Sequence, residues 1–239
     1  MANMENLTKN KLTIEADYKQ RSNRKYIFIF GVIVALATSF INIYLGLFSI
    51  FVTLVLWASQ NGDEALRSGA VGEDNTISLL SRLPDTFTIY NQVDIPNSKS
   101  KTGFNEADVI VVGPEAVFVI EVKHNNGAII GSEAEKEWSV NKVGRGGKPY
   151  SKMMRNPISQ VKKLVWLLAE DMKKKKSKAW IQGVALFSND KADVSIYQPT
   201  SIPVLRNGDL IRYLQSYKAK SKIANIRQVK QGISELKML

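Results

Sequence analysis

The chain has 239 residues, 33 Lys/Arg against 22 Asp/Glu, one histidine, no cysteine and a formal net charge of +11. Without cysteine it forms no disulfide, and with one histidine it lacks the usual ligand set of a zinc site. The basic balance favours anionic partners such as nucleic acid or lipid headgroups.

Residues 1–25 form a polar tail. From Tyr26 to Ala58 the sequence is almost wholly apolar, and residues 26–62 carry no charge. About 20 such residues cross a bilayer, and one straight helix over the whole run would overshoot it. Thr38-Ser39-Phe40-Ile41-Asn42 is its most polar stretch. The run therefore reads as a transmembrane helical hairpin of two short spans turning near Ser39–Asn42, with one long tilted span as the alternative. Lys19, Arg21, Arg24 and Lys25 precede it, which places the N-terminus in the cytoplasm by the positive-inside rule. A hairpin returns the following domain to the same side, so the expected localisation is the cell membrane with a cytoplasmic domain. The charged, long leader does not fit a signal peptide.

A linker over 59–68 leads to a domain over 69–239. Gly69–Leu83 has apolar residues at 77, 79, 80 and 83 and reads as a helix ending before Pro84. Phe87–Val93 reads as a strand and Asn97–Lys101 as a polar loop. Phe104–Val112 and Ala116–Lys123 flank the turn Gly113-Pro114-Glu115 and read as an antiparallel hairpin. Gly127–Ile130 and Trp138–Val140 read as short strands, and Val143–Lys148 as a flexible loop. Asn156-Pro157 opens a helix with an N-cap residue and a proline at the first helical position. Ile158, Val161, Val165 and Leu168 supply its apolar stripe. Trp180–Phe187 and Ile202–Leu205 read as strands, and Asn207–Tyr217 as the closing helix. The order of elements is α/β with a central mixed β-sheet flanked by helices.

Charge is segregated along this domain. Residues 63–141 hold thirteen acids against six Lys/Arg, whereas residues 142–178 hold twelve Lys/Arg against two acids. The acidic part contains three charges at the ends of apolar strands, where charges are uncommon unless paired. A turn centred between Pro114 and Glu115 makes paired positions sum to 229: Val112 faces Val117, Ile110 faces Val119 and Asp108 faces Glu121. Opposed side chains lie about 5 Å apart at Cβ, so both carboxylates could reach one cation. Lys123, two residues beyond Glu121, shares its face, and Val122 points the other way. Two carboxylates and a lysine so placed suit a metal-dependent phosphodiesterase.

Gly72-Glu73, the hairpin from Glu106-Ala107-Asp108 to Glu121-Val122-Lys123, and Asn156-Pro157-Ile158-Ser159-Gln160 stand in an order that resembles the nuclease-related domain (NERD) family. That family is similar to the restriction-endonuclease-like superfamily, whose signature is an acidic residue, a gap, then Asp/Glu-x-Lys. The resemblance covers roughly residues 69–187. It implies a restriction-endonuclease-like core and a membrane-anchored nuclease acting on nucleic acid, DNA in the first instance. It implies Mg²⁺ or Mn²⁺ held by Asp108, Glu121 and the Val122 carbonyl. Lys123 would orient or help deprotonate the attacking water, Glu73 would complete the acidic cluster, and Gln160 would position water or phosphate. Related nucleases often work as homo-oligomers. His124-Asn125-Asn126-Gly127 departs from the aromatic residue that family members often carry after the lysine. The alternative is a catalytically inactive nuclease-fold module that tethers nucleic acid or a partner complex to the membrane.

Overall fold

The structure is a computed structural model that describes residues 1–5, 7–60, 63–144, 146–221 and 223–237. It divides into two compact units, residues 9–70 and residues 1–8 with 71–239. Part of the expected linker (Asn61 and Gly62), one residue of the expected 143–148 loop (Arg145) and the last two residues of the expected domain lie outside the described residues.

In the smaller unit, helix α1 (Lys11–Ser39) and helix α2 (Ile43–Ala58) form a hairpin. The turn falls where the polar stretch of the sequence places it. Asn42 caps α2 by accepting from the Tyr44 N–H (2.8 Å), and its own N–H donates to the Thr38 carbonyl (2.9 Å). Small and hydroxylated residues let the helices approach: a Cβ at Gly31 would meet Thr53, and one at Gly46 would meet Ser39. Two expectations need correction. Most of the polar tail is helical rather than unstructured, because Asn10 caps α1 ahead of residues with good helix propensity. Among the described residues no helix is long and apolar enough to cross a membrane. The apolar part of α1 begins only at Tyr26 and spans roughly 21 Å, and the 16 residues of α2 span roughly 24 Å, both short of a hydrocarbon core of about 30 Å. The transmembrane hairpin is thus a helical hairpin whose spanning of a bilayer the structure does not support.

The boundary between units falls inside helix α3 (Glu64–Leu80), which starts five residues before and ends three residues before the expected Gly69–Leu83 helix. The larger unit is α/β. Its strands are β1 (Asn3–Met4), β2 (Thr88–Pro96), β3 (Phe104–Val112), β4 (Val117–Lys123), β5 (Gly127–Gly131), β6 (Glu137–Val143), β7 (Pro149–Arg155), β8 (Ile181–Phe187), β9 (Ala192–Ile196) and β10 (Val204–Arg206). Its further helices are α4 (Pro157–Lys174), α5 (Asn207–Ser216) and α6 (Ile226–Lys237). One mixed sheet has the order β1-β2-β3-β4-β8-β10, and a second has the order β7-β6-β5-β9. Residues 1–4, expected as tail, join the first sheet through β1, which runs parallel to β2.

Strand alternation sorts the core onto two faces. Val109, Val111, Phe118, Ile120 and Val122 pack with Leu80, Leu83, Leu210 and Leu214, which puts α3 and α5 on one side. Ile110, Val112, Val117 and Val119 pack with Ile158, Val161 and Leu168 of α4 and with Val229, Ile233 and Leu236 of α6. The second sheet joins this side through Ile129, Trp138 and Val140, and the Trp138 ring stacks on Phe187 with centroids 6.2 Å apart. The sequence pattern does not announce α6, so Asn207–Ser216 is not the closing helix.

Asn156 ties the β5–β6 turn of the second sheet to α4. Its Oδ1 accepts from the Ile158 and Ser159 N–H groups (2.9 and 3.3 Å), and its Nδ2 donates to the carbonyls of Ser132, Glu133 and Glu135 (3.2, 3.1 and 2.6 Å). It is 1% exposed, so its truncation strands several polar groups away from water. Replacing Asn156 by Ala should cost about 2–4 kcal/mol, the sum of a lost cap and orphaned carbonyls, measured as a fall in the urea midpoint of the full chain with an unchanged slope. A loss below about 0.5 kcal/mol would show that water takes over those bonds.

Candidate active site

The sheet comes apart around Asp108. The β3–β4 ladder pairs Val112 with Val117, Ile110 with Val119 and Val109 with Ile120, which is the register expected from the turn, and there it stops. The next pair would be Asp108 with Glu121. Instead, the Asp108 carboxylate takes the place of a backbone acceptor: its Oδ2 receives the Val122 N–H at 2.7 Å. The β2–β3 ladder is interrupted at the same level. Asn91 pairs with Val109 and Val93 with Ala107, but the intervening Gln92 has a φ of 48° and does not pair. Left-handed backbone at a buried non-glycine residue is a local cost, of order 1 kcal/mol or more, retained only where the surroundings enforce it.

The kink aims Gln92 at the first helix of this unit. Its Nε2 donates to Glu73 Oε2 at 3.4 Å, and both residues are buried. The backbone behind it is held from the chain termini. Lys237 donates to Asn91 Oδ1 and Thr8 Oγ1 (2.9 Å each) and to the carbonyls of Asn91 and Gln92. Thr8 and Asn91 exchange two further bonds. Gln92 is a site residue that the motif reading misses. A signal for it exists: Asn91-Gln92 is a buried polar pair between the apolar residues Ile89-Tyr90 and Val93 of β2.

Lys123 Nζ donates to Glu121 Oε1 at 2.6 Å, with side chains 22% and 6% exposed respectively. Burial lowers the lysine's affinity for its proton, but Glu121, Asp108 and Glu73 outweigh it, and the net direction is upward from the ordinary 10.5. Lys123 is therefore an ammonium at neutral pH. Burial, then the Glu121 and Glu73 carboxylates, push Asp108 well above the usual carboxylate range, against the opposing pull of Lys123 and the Val122 N–H.

Asp108, Glu121 and Lys123 are thus brought together as expected, with Glu73 coupled to them electrostatically. Val122 turns its side chain into the opposite core, also as expected. Its N–H faces Asp108, and its carbonyl leaves the strand on that same edge. Gln160 lies in the first turns of α4, over the sheet face that Asp108 and Glu121 share. It makes no hydrogen bond to them, and its buried Oε1 has no partner.

These donors fit a hard divalent cation in kind: carboxylate, carbonyl and amide oxygens. They fit it in charge as well, since three carboxylates face one ammonium. Among the described residues, however, no three His, Cys, Asp or Glu side chains are gathered so as to hold an ion by themselves. The protein offers two adjacent carboxylates, with Glu121 engaged by Lys123.

His124 follows the lysine in the short loop between β4 and β5 and is half-buried. A ring nitrogen sits 2.9 Å from Ser188 Oγ, and burial lowers its pKa from the ordinary 6.5. α3 reaches this spot only because residue 72 is glycine. A Cβ there would lie 2.5 Å from His124 Cβ and 2.9 Å from Ser188 Oγ. The next residue is Glu73, so this close approach sets where Glu73 stands.

Residues 68–188, just over half of the chain, match the nuclease-related domain (NERD). The chain belongs to that family, and the α/β unit described above carries its nuclease-related domain. No curated protein and no solved structure matched it in the same comparisons.

Helix propensity alone would favour alanine over glycine by about 1 kcal/mol at either Gly72 or Gly232. A Cβ at Gly232 meets nothing closer than Lys175 Cδ at 3.7 Å, an ordinary contact. Gly232→Ala should therefore raise stability by about 0.5–1 kcal/mol, whereas Gly72→Ala should lower it by about 1–3 kcal/mol through overpacking, both read from urea unfolding. A stabilising Gly72→Ala would show that α3 does not depend on this approach.

Proposed function

We propose that this chain is a divalent-metal-dependent nuclease that hydrolyses phosphodiester bonds, in DNA in the first instance, and is held at a membrane by its α1–α2 hairpin. The observation that carries the reading is the convergence of Asp108, Glu121 and Lys123 at a point where the β3–β4 ladder ends and the β2–β3 ladder is interrupted. A purely structural ion pair needs no such break.

Asp108 and Glu121, with the Val122 carbonyl, would hold Mg²⁺ or Mn²⁺. A bound ion of this kind supplies Lewis-acid polarisation of the phosphodiester. Lys123, kept as an ammonium by its carboxylate neighbours, stabilises the negative charge that grows on the phosphoryl oxygens. In that protonation state it orients water rather than deprotonating it. Glu73, steadied by Gln92, adds to the negative field that attracts the cation. Gln160, with an unpartnered Oε1, is the free acceptor that could orient water or substrate.

One observation favours a second reading. Lys123 closes on Glu121, and the acids are not gathered as a complete metal cage among the described residues, as expected of a nuclease fold that binds without cutting. The two readings part in one assay on the full chain in detergent, incubated with plasmid and Mg²⁺ or Mn²⁺. The nuclease reading expects cleavage that stops with EDTA and falls at least about 100-fold in Glu121→Gln and in Lys123→Ala. Folding of each variant is checked by circular dichroism. Absence of cleavage in every divalent ion, with duplex binding intact, leaves the binding module.

The membrane part rests on the surface of the hairpin. Phe28, Phe30, Ile33, Leu36, Phe48, Phe51, Leu54 and many neighbours are exposed, far more apolar surface than water tolerates on a soluble unit. Arg24 packs over Trp57 at 4.8 Å, a basic and aromatic pair suited to the headgroup level. Legs of about 21–24 Å suit a hairpin seated in the bilayer without a full span. The nuclease unit would then lie on the cytoplasmic side. The full chain should remain with membranes after alkaline carbonate extraction, and recovery in the soluble fraction would remove the anchor from the proposal.

A further inference from the structure

The β6–β7 hairpin extends past the core in which it is rooted. On β6, Trp138 and Val140 are buried, and Lys142 follows on the same face two residues on. Across the ladder Lys152 stands opposite Val140, and Tyr150 stands opposite Lys142. The face thus changes along its length from apolar core to an aromatic ring beside two ammonium groups. Tyr150 is 51% exposed, and β7 is exposed throughout except at Met154. Residues 142–155 contain no acid. Lys142, Lys148 and Lys152 form no ion pair among the described residues, and the nearest acid in register, Glu137, stands opposite Arg155. Burial and then the Lys152 ammonium hold Lys142 below its ordinary value. Like charges kept side by side with no counter-charge are a standing cost, which a bound anion removes.

The C-terminal end of β7 is tied to elements of the candidate site. The Met154 sulfur accepts from Asn125 Nδ2 at 3.0 Å, and Asn125 comes two residues after Lys123. β7 ends at Arg155, next to the Asn156 cap of α4, the helix that carries Gln160. A polymer lying along the exposed face would therefore be delivered towards the carboxylates. The spacing of cations around a tyrosine suits a chain of phosphates with flat bases between them, better than it suits a lipid surface, which asks for no aromatic platform.

We infer that the β6–β7 hairpin is the nucleic-acid-binding arm of this chain, with Lys142 and Lys152 taking backbone phosphates and Tyr150 lying against a base or sugar. The inference rests on the nuclease reading for its substrate class, but its test does not require turnover. Binding of a fluorescent duplex to the full chain in detergent is measured in EDTA across a salt series. Lys142→Gln with Lys152→Gln should weaken binding about tenfold or more near physiological salt. It should also reduce the slope of log K against log salt by roughly 1.8, about 0.9 for each phosphate that is no longer neutralised. Tyr150→Ala should weaken binding about fivefold or more with little change in slope, as stacking is worth about 1–3 kcal/mol per base. Lys173→Gln with Lys174→Gln, at the far end of α4, should stay within about twofold. Unchanged affinity and slope in the Lys142/Lys152 pair would overturn the arm, as would a wild type that binds no duplex. So would a loss confined to vesicles of anionic lipid. Binding through the arm without cleavage in any divalent ion would sustain this inference while ending the nuclease reading.

Discussion

The candidate site depends on one substitution of bonding partner: a side-chain carboxylate, Asp108, receives a backbone N–H that strand pairing would otherwise use. Had the β3–β4 ladder run one pair further, Asp108 and Glu121 would be ordinary cross-strand neighbours at a sheet edge. By stopping at Val109–Ile120 the sheet leaves the backbone of Val122 facing the carboxylate. Asp108 thereby becomes part of the strand scaffold while remaining ionisable. Its position is set by backbone geometry, and so it does not rely on Lys123 to be held.

A broken ladder costs stability unless the freed groups are satisfied elsewhere. On the β2 side that work falls to the two ends of the chain. Lys237 from the last helix and Thr8 from the first segment meet at Asn91, and the Gln92 carbonyl is also within reach of Lys237. Residues 8 and 237 lie near opposite ends of the sequence, yet both stabilise the left-handed residue opposite Asp108. α6, which follows the region matched to the family, is thereby part of what shapes the site.

Much of this is legible in the residues alone. The turn at Gly113-Pro114-Glu115 determines the hairpin register, because both flanking strands are apolar and a slip by one would turn each inside out. Asn156-Pro157 marks the start of α4 through capping chemistry that is local by nature. What the residues do not reveal has several causes. β7 is an edge strand with mostly exposed side chains, so it carries no apolar alternation, whereas β9 does alternate, with Ala192, Val194 and Ile196 packed inward, but over only five residues. α6 is amphipathic, but its apolar positions Val229, Ile233 and Leu236 are few and sit amid polar residues. Gln92 draws its role from a backbone angle that tertiary contacts impose. The hairpin turn near Ser39–Asn42 is legible, but the extension of α1 back from Tyr26 to Lys11 is decided by the cap at Asn10 and local propensity.

The Glu121–Lys123 pair bears on how the site balances stability against chemistry. A buried ion pair contributes little net stability, yet losing one partner costs about 3–5 kcal/mol by leaving the other charge uncompensated. Glu121, almost wholly buried, is tolerated because Lys123 neutralises it. Asp108 has no such dedicated cation, and burial first, then the Glu121 and Glu73 carboxylates, hold its pKa well above the usual carboxylate range. The proposed divalent ion would meet this deficit without displacing Lys123 from its other duty. Its charge would offset that of Asp108, and the Lys123 ammonium would stay within reach of Glu121. A tether that only holds nucleic acid would gain nothing from two mutually repelling buried carboxylates, since they repel phosphate as well. On this reading the acidic pocket would suit a cation, and the attraction for phosphate would come separately from the proposed arm of β6 and β7.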